Sequence, residues 1–165
     1  MISDATKQRF AREVAKYPAD QKQSAVMACL SIVQQEQGWV PPEAEREVAD
    51  YLGMPVVAVH EVTTFYNMYN QRPVGKFKLN VCTNLPCQLR DGQKAADYLS
   101  EKLGVELGGT TPDGLFTVAE CECLGACADA PVMLVNDRQM CSFMSNDRLD
   151  ALVDTLRAAA KQGVK

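Results

Sequence analysis

Four of the seven cysteines in this chain stand in two short-spaced pairs, Cys82-x4-Cys87 and Cys123-x3-Cys127, with 35 residues between them. Four thiolates grouped this way can complete two metal tetrahedra that share a pair of bridging sulfides. That is the demand of a [2Fe–2S] cluster, in which each iron takes two protein ligands. The pattern therefore constrains the fold: two distant loops must meet at one point, held there by a rigid framework such as the end of a sheet.

The rest of the composition narrows the setting. At 165 residues the chain is long enough for one sizeable core or two small ones. A net charge of −4 argues against nucleic acid, which favours a basic face. No apolar run approaches the roughly 20 residues needed to span a bilayer, so no direct membrane insertion is expected. The N-terminal MISDATKQRFAREVAKY has no apolar h-region and mixes acids with its bases, so neither a secretory nor a mitochondrial leader is expected. The plain reading is a cytoplasmic protein. In a reducing compartment an odd number of cysteines is better explained by ligation than by disulfides.

Along the chain the pattern changes once. Gln21 to Gln37 carries Val26, Met27, Leu30 and Val33 at helical spacing, with Gly38 as a stop. Pro41 and Pro42 suit the start of a helix ending at Gly53, and Pro55 opens another through VVAVHEVTTFY. NQRPVGK reads as a linker. Beyond it, KFKLNVC alternates as a half-buried strand does. Residues 88–103 give an apolar helical stripe closed by Gly104, and a strand follows over Leu115 to Glu120. PVMLVN and QMCSFM form a hairpin through NDRQ, and Asn146 is placed to cap a last helix carrying Leu149, Leu152, Val153 and Leu156. The expected fold is α+β: a small helical bundle over 1–74, then a β-α-β-β-β-α thioredoxin-like layer over 75–165.

Cys82 ends the first strand, Cys87 lies just before the next helix, and Cys123 and Cys127 occupy the loop ECLGACADAP. Gly125 lets that loop bend and bring backbone N–H groups near the sulfurs, while Pro131 stiffens its exit. Two ferric ions, two sulfides and four thiolates sum to about −2, and to about −3 after one-electron reduction. Backbone dipoles must hold that charge, and helix 88–103 can offer its positive N-terminus beside Cys87. Spacing alone leaves a four-cysteine zinc site open as well, although zinc sites more often use x2 knuckles. A [4Fe–4S] cluster lacks its close-packed cysteine run, and a Rieske centre needs two histidines where this chain has only His60. No C-x-x-C motif is present for thiol–disulfide exchange.

The remaining candidates have simpler explanations. Cys29, among Met27, Ala28 and Leu30, and Cys141, in a hairpin strand, suit packing. His60 is expected in the core or at an interface. Phe65, Tyr66 and Tyr69 suit core or partner contact, and EAEREVAD a solvated helix face.

VCTNLPC, TTPDGLFTV and ECLGACADAPVM, together with GWVPPEAEREVADYLGMP and EVTTFYNMYNQRPVGK, resemble the thioredoxin-like [2Fe–2S] subunit of NADH–quinone oxidoreductase, bacterial complex I. The resemblance covers nearly the whole chain. It implies that Cys82, Cys87, Cys123 and Cys127 ligate one [2Fe–2S] cluster, the first pair on one iron and the second on the other. It implies an electron-transfer subunit of the complex, in which FMN and NADH are bound by a partner subunit that receives the helical domain. Other peripheral-arm iron–sulfur subunits would complete the assembly on the cytoplasmic side of the inner membrane. An NAD-linked hydrogenase or formate dehydrogenase contains an equivalent subunit and is the near alternative; a zinc-stabilised interaction module is the remote one. One residue departs from the family: Cys121, two before Cys123, is a competitor for the Cys123 position, because side chains two apart on a strand share a face.

Overall fold

The computed structural model describes residues 2–162, and the chain divides into two compact units, 1–73 and 74–165.

The first unit is helical. α1 (Asp4–Val14) starts at Ser3, whose hydroxyl accepts the Thr6 N–H at 3.1 Å. A 3-10 turn over Lys22–Ala25 precedes α2 (Val26–Gln37), so the helix expected from Gln21 begins in tighter form. α2 closes at Gly38 and α3 (Pro42–Leu52) at Gly53, both left-handed, where a side chain would be strained. α4 spans Val56–Phe65. Phe10, Leu30, Val33, Val48, Leu52 and Val59 form the core, and Phe10 meets Tyr51 edge-on at 5.2 Å. The returning chain is fastened by Tyr69, whose hydroxyl donates to Met27 O at 2.8 Å.

One reading of this unit needs correction, and another is narrowed. The acidic stretch of α3 is not wholly solvated: Glu45 is buried, accepting a hydrogen bond from the Thr63 hydroxyl and lying 3.0 Å from His60 Nδ1. A carboxylate is tolerated there because these partners satisfy it. Of the two places expected for His60, core or interface, its 56% exposed side chain excludes the core.

The second unit is built on a four-stranded sheet of order β2-β1-β3-β4. β1 (Phe77–Cys82) runs parallel to β2 (Phe116–Cys121), in register from Phe77↔Phe116 to Cys82↔Cys121. A parallel pair needs a crossover, supplied by α5 (Leu85–Gln88) and α6 (Gly92–Leu103). β3 (Met133–Val135) pairs antiparallel with β1 and with β4 (Gln139–Cys141). α7 (Asn146–Lys161) follows, and its N-cap is Ser145 in place of the expected Asn146, which is already helical.

Alternation sorts β1. Phe77, Leu79 and Val81 pack with Phe116, Val118 and Met133 beneath α6 (Ala96, Leu99) and α7 (Leu149, Val153). Lys78, Asn80 and Cys82 occupy the opposite face. Asp137 serves that face, taking a hydrogen bond from Asn80 Nδ2 at 2.5 Å and lying 3.6 Å from Lys78 Nζ.

Candidate metal centre

β1 and β2, parallel and in register, stop together, and both cysteine loops leave from the same end of the sheet. Cys82 is the last residue of β1, 1% exposed, and faces away from α6 and α7. Two residues later the chain turns into α5, a single helical turn that holds Cys87, also 1% exposed. The two thiols share one small buried cluster. Burial pushes the Cys87 thiol up, the Cys82 contact adds to the rise, and a hydrogen bond from the Val132 backbone opposes it. Ala130 and Val132 complete a small buried cluster around them.

The second pair has a different setting. Cys123 and Cys127 are both exposed, with their sulfurs 3.5 Å apart. Gly125, at φ +75°, turns the loop between them so that its N–H donates to Cys123 Sγ at 3.4 Å. Its left-handed backbone is a conformation that a side chain would strain. Cys127 opens a 3-10 turn, Cys127–Asp129, and its thiol is pushed up first by the hydrogen bond with Cys123 and then by burial. The pairs are near enough to feel one another's charge, Cys87 that of Cys127 and Cys127 that of Cys82.

Among the described residues no three Cys, His, Asp or Glu side chains converge on a single ion position. The donors available at this end of the sheet are instead two thiol pairs, one buried and one at the surface, with the Gly125 amide aimed at the Cys123 sulfur.

Gly92, which opens α6, was not singled out by the sequence pattern. A Cβ there would lie 2.7 Å from Cys82 O and 2.8 Å from Cys87 O. The first turn of α6 therefore rests directly on the backbone of both buried cysteines. The one legible signal is a glycine at a helix start. Helix 88–103 is in fact broken: Asp91 takes φ +66° between α5 and α6, a conformation that Asp tolerates better than most residues.

Cys121 is also placed differently from the reading by strand periodicity. β2 ends at Cys121, so the two-residue alternation does not extend to Cys123 in the exposed loop. Cys121 instead stands beside Cys82 in the sheet and packs against the Cys82–Cys87 cluster. Burial pushes its thiol up to about 12, with the charge of Cys82 the next cause. Cys29 is buried in the helical core and Cys141 packs against the core of the second unit.

Comparison with known proteins places these features in a family. The profile described as thioredoxin-like [2Fe-2S] ferredoxin matches residues 10–157. NADH-quinone oxidoreductase subunit 2 of Thermus thermophilus is 44% identical over 156 residues, covering 94% of this chain and 86% of that one. An NADH-quinone oxidoreductase subunit of Rhizobium meliloti is 42% identical over 147 residues (89% and 86%), and one of Rickettsia conorii 41% over 145 residues (87% and 86%). Among solved structures, a chain of an NAD+-reducing [NiFe]-hydrogenase in the air-oxidised state superposes with a TM-score of 0.69 at 20% identity. That match covers 81% of this chain and 23% of the hydrogenase chain, and it shows a shared fold. With nine-tenths of its length inside the family profile and the two thiol pairs at one sheet end, the chain belongs to the thioredoxin-like [2Fe–2S] ferredoxin family, together with the NADH-quinone oxidoreductase subunits that it matches.

Proposed function

We propose that this chain is the [2Fe–2S] electron-carrying subunit of an NADH-quinone oxidoreductase, with Cys82 and Cys87 on one iron and Cys123 and Cys127 on the other. The observation that carries the reading is the two-by-two grouping of the thiols. A [2Fe–2S] cluster asks two thiolates of each iron, whereas one zinc asks four donors to converge. When bound, the cluster takes up and returns one electron at a time. The residues of the chain hold and tune it. The Gly125 amide directs its positive end at the Cys123 sulfur, which favours the added negative charge. Burial of Cys82 and Cys87 keeps water from one side. The exposed Cys123–Cys127 loop is the side open to a redox partner, and Leu85 and Leu89, 65% and 77% exposed, give its neighbourhood apolar contact surface.

FMN and NADH belong, in this reading, to a partner subunit. The chain has no G-x-G-x-x-G fingerprint of its own. The partner docks on the helical unit, where Val57 and Phe65 of α4 are 64% and 80% exposed and Val56 and Met68 add to the patch. Other iron–sulfur subunits complete a peripheral arm on the cytoplasmic face of the membrane. Among the described residues no helix is long and apolar enough to cross a membrane.

A diaphorase subunit of an NAD-linked hydrogenase shares the fold, but fold at 20% identity does not separate the two assemblies. Sequence identities of 41–44% across most of each relative favour the quinone reductase. The test is EPR of the dithionite-reduced protein, with iron, sulfide and zinc assayed on the same sample, followed by identification of co-purifying subunits. About two irons and two sulfides per chain with a spin-one-half signal support the carrier. One zinc without sulfide sinks it, and a co-purifying nickel subunit moves it to the hydrogenase.

A further inference from the structure

Cys121 does not follow from the four-ligand reading, and its position in the sheet gives it a specific use. β1 and β2 are parallel and in register, and their last residues, Cys82 and Cys121, are paired. In-register neighbours on parallel strands send their side chains to the same face, on strands about 4.8 Å apart. Both thiols border the same small cluster with Cys87, Ala130 and Val132. The Thr83 N–H donates to Cys121 O at 3.3 Å, so the backbone just beyond Cys82 is tied to that of Cys121. Cys121 is therefore held beside the buried ligand pair, not beside the exposed one.

Resting on the four-ligand reading above, we propose that Cys121 is a reserve ligand for the buried iron, able to take the place of Cys82 when that thiol is removed. In the intact protein Cys121 stays outside the ligand set, since no third thiol converges on either pair among the described residues. Removing Cys82 leaves Cys87 with one vacant neighbour position. A change of the Cys121 χ1 angle between staggered wells swings its sulfur while the backbone stays in register. The same exchange is closed to Cys123. That thiol sits in the exposed loop against Cys127, shaped by Gly125, and Cys121 reaches it only if the end of β2 leaves the sheet.

The test compares the full chain as wild type, Cys82→Ala, Cys121→Ala, Cys82→Ala/Cys121→Ala and Cys123→Ala. Bound iron and labile sulfide are measured after anaerobic reconstitution, with the EPR of the reduced protein and far-UV circular dichroism as a check of folding. Cys121→Ala is expected to match wild type. Cys82→Ala keeps about two irons per chain with shifted g-values, and adding Cys121→Ala drops bound iron roughly tenfold or more. Cys123→Ala loses the cluster although Cys121 is present. A folded Cys82→Ala that is as empty as the double variant, beside a loaded wild type, overturns the inference alone. A wild type that binds one zinc and no sulfide overturns the cluster itself. Should Cys82→Ala not fold, Cys82→Ser is compared with Cys82→Ser/Cys121→Ala. g-values altered by the second change support the inference, and g-values indifferent to it sink the idea.

Discussion

At the residue scale the site depends on a position that carries no chemistry. Gly92 has no side chain because the Cys82 and Cys87 carbonyls stand where its Cβ would be. Both obstructing atoms are backbone, so Gly92→Ala cannot be relieved by a rotamer change. It must move the start of α6 or Cys82 and Cys87 themselves. The expected cost is about 1–3 kcal/mol, as for other overpacked sites, with reduced cluster occupancy measured as iron and sulfide per folded chain. Gly104→Ala is the control: its cost is backbone strain at φ +66°, with nothing within 4 Å of a new Cβ, and it should leave occupancy unchanged. Cys29 supplies a second prediction at this scale. Burial, and then the charge of Glu13, push its thiol from the ordinary 9.0 up to about 12. The folded chain keeps the thiol neutral while the unfolded chain ionises it above 9.0. Its contribution to stability is therefore complete below pH 9.0 and declines as pH rises toward about 12. Urea unfolding of the cluster-free protein across that window should give a shallower pH slope for Cys29→Ala than for wild type; equal slopes would remove Cys29 from the account.

At the element scale, α6 joins the core to the site through opposite parts of itself. Its first residue rests on the backbone of Cys82 and Cys87, and its body packs Ala95, Ala96, Leu99 and Leu103 on the sheet. Leu99 is fully buried on the face opposite Cys82, so Leu99→Ala should cost about 2–5 kcal/mol. Below the lowered melting temperature the cluster's EPR signal should persist; its loss from a folded protein would mean that core and site are coupled more tightly than the two faces imply. The elements themselves were largely legible in the sequence, because their signals are local. Gly38, Gly53 and Gly104 end helices in left-handed conformation, Pro42 starts one, and the period-two pattern of Phe77–Cys82 is a strand. What escaped depends on tertiary partners. The close approach of Gly92 to the Cys82 and Cys87 carbonyls, and the burial of Glu45 beside Thr63 and His60, are set by residues outside the local sequence pattern. The spacings identified the candidate thiols, but their unequal burial and the pairing of Cys121 with Cys82 follow from strand register across 38 intervening residues.

At the scale of the whole molecule, the chain carries two cores that share no member: Phe10, Leu30, Val48 and Leu52 in the first unit, Leu79, Val81, Leu99 and Phe116 in the second. Each unit buries its own apolar surface, so a change on the exterior of one need not disturb the interior of the other. This gives the proposed division of labour, docking in the first unit and electron carriage in the second, a direct test. Phe65 ends α4 with 80% of its surface exposed, lies outside the first core, and meets the exposed Tyr66 edge-on at 5.1 Å. An aromatic ring left in water at that level suits burial by another protein, and ring anchors of this kind commonly carry about 2 kcal/mol or more of a binding energy. Phe65→Glu should then weaken association with the proposed flavin-binding partner by roughly thirtyfold. Iron, sulfide and the reduced EPR signal should stay at wild-type values, because all four proposed ligands lie in the second unit. Titration of the purified partner against both proteins, with the cluster assayed in the same samples, separates the two effects. An unchanged dissociation constant would remove the α4 patch from the interface. A lost cluster would mean that the two units depend on each other despite their separate cores.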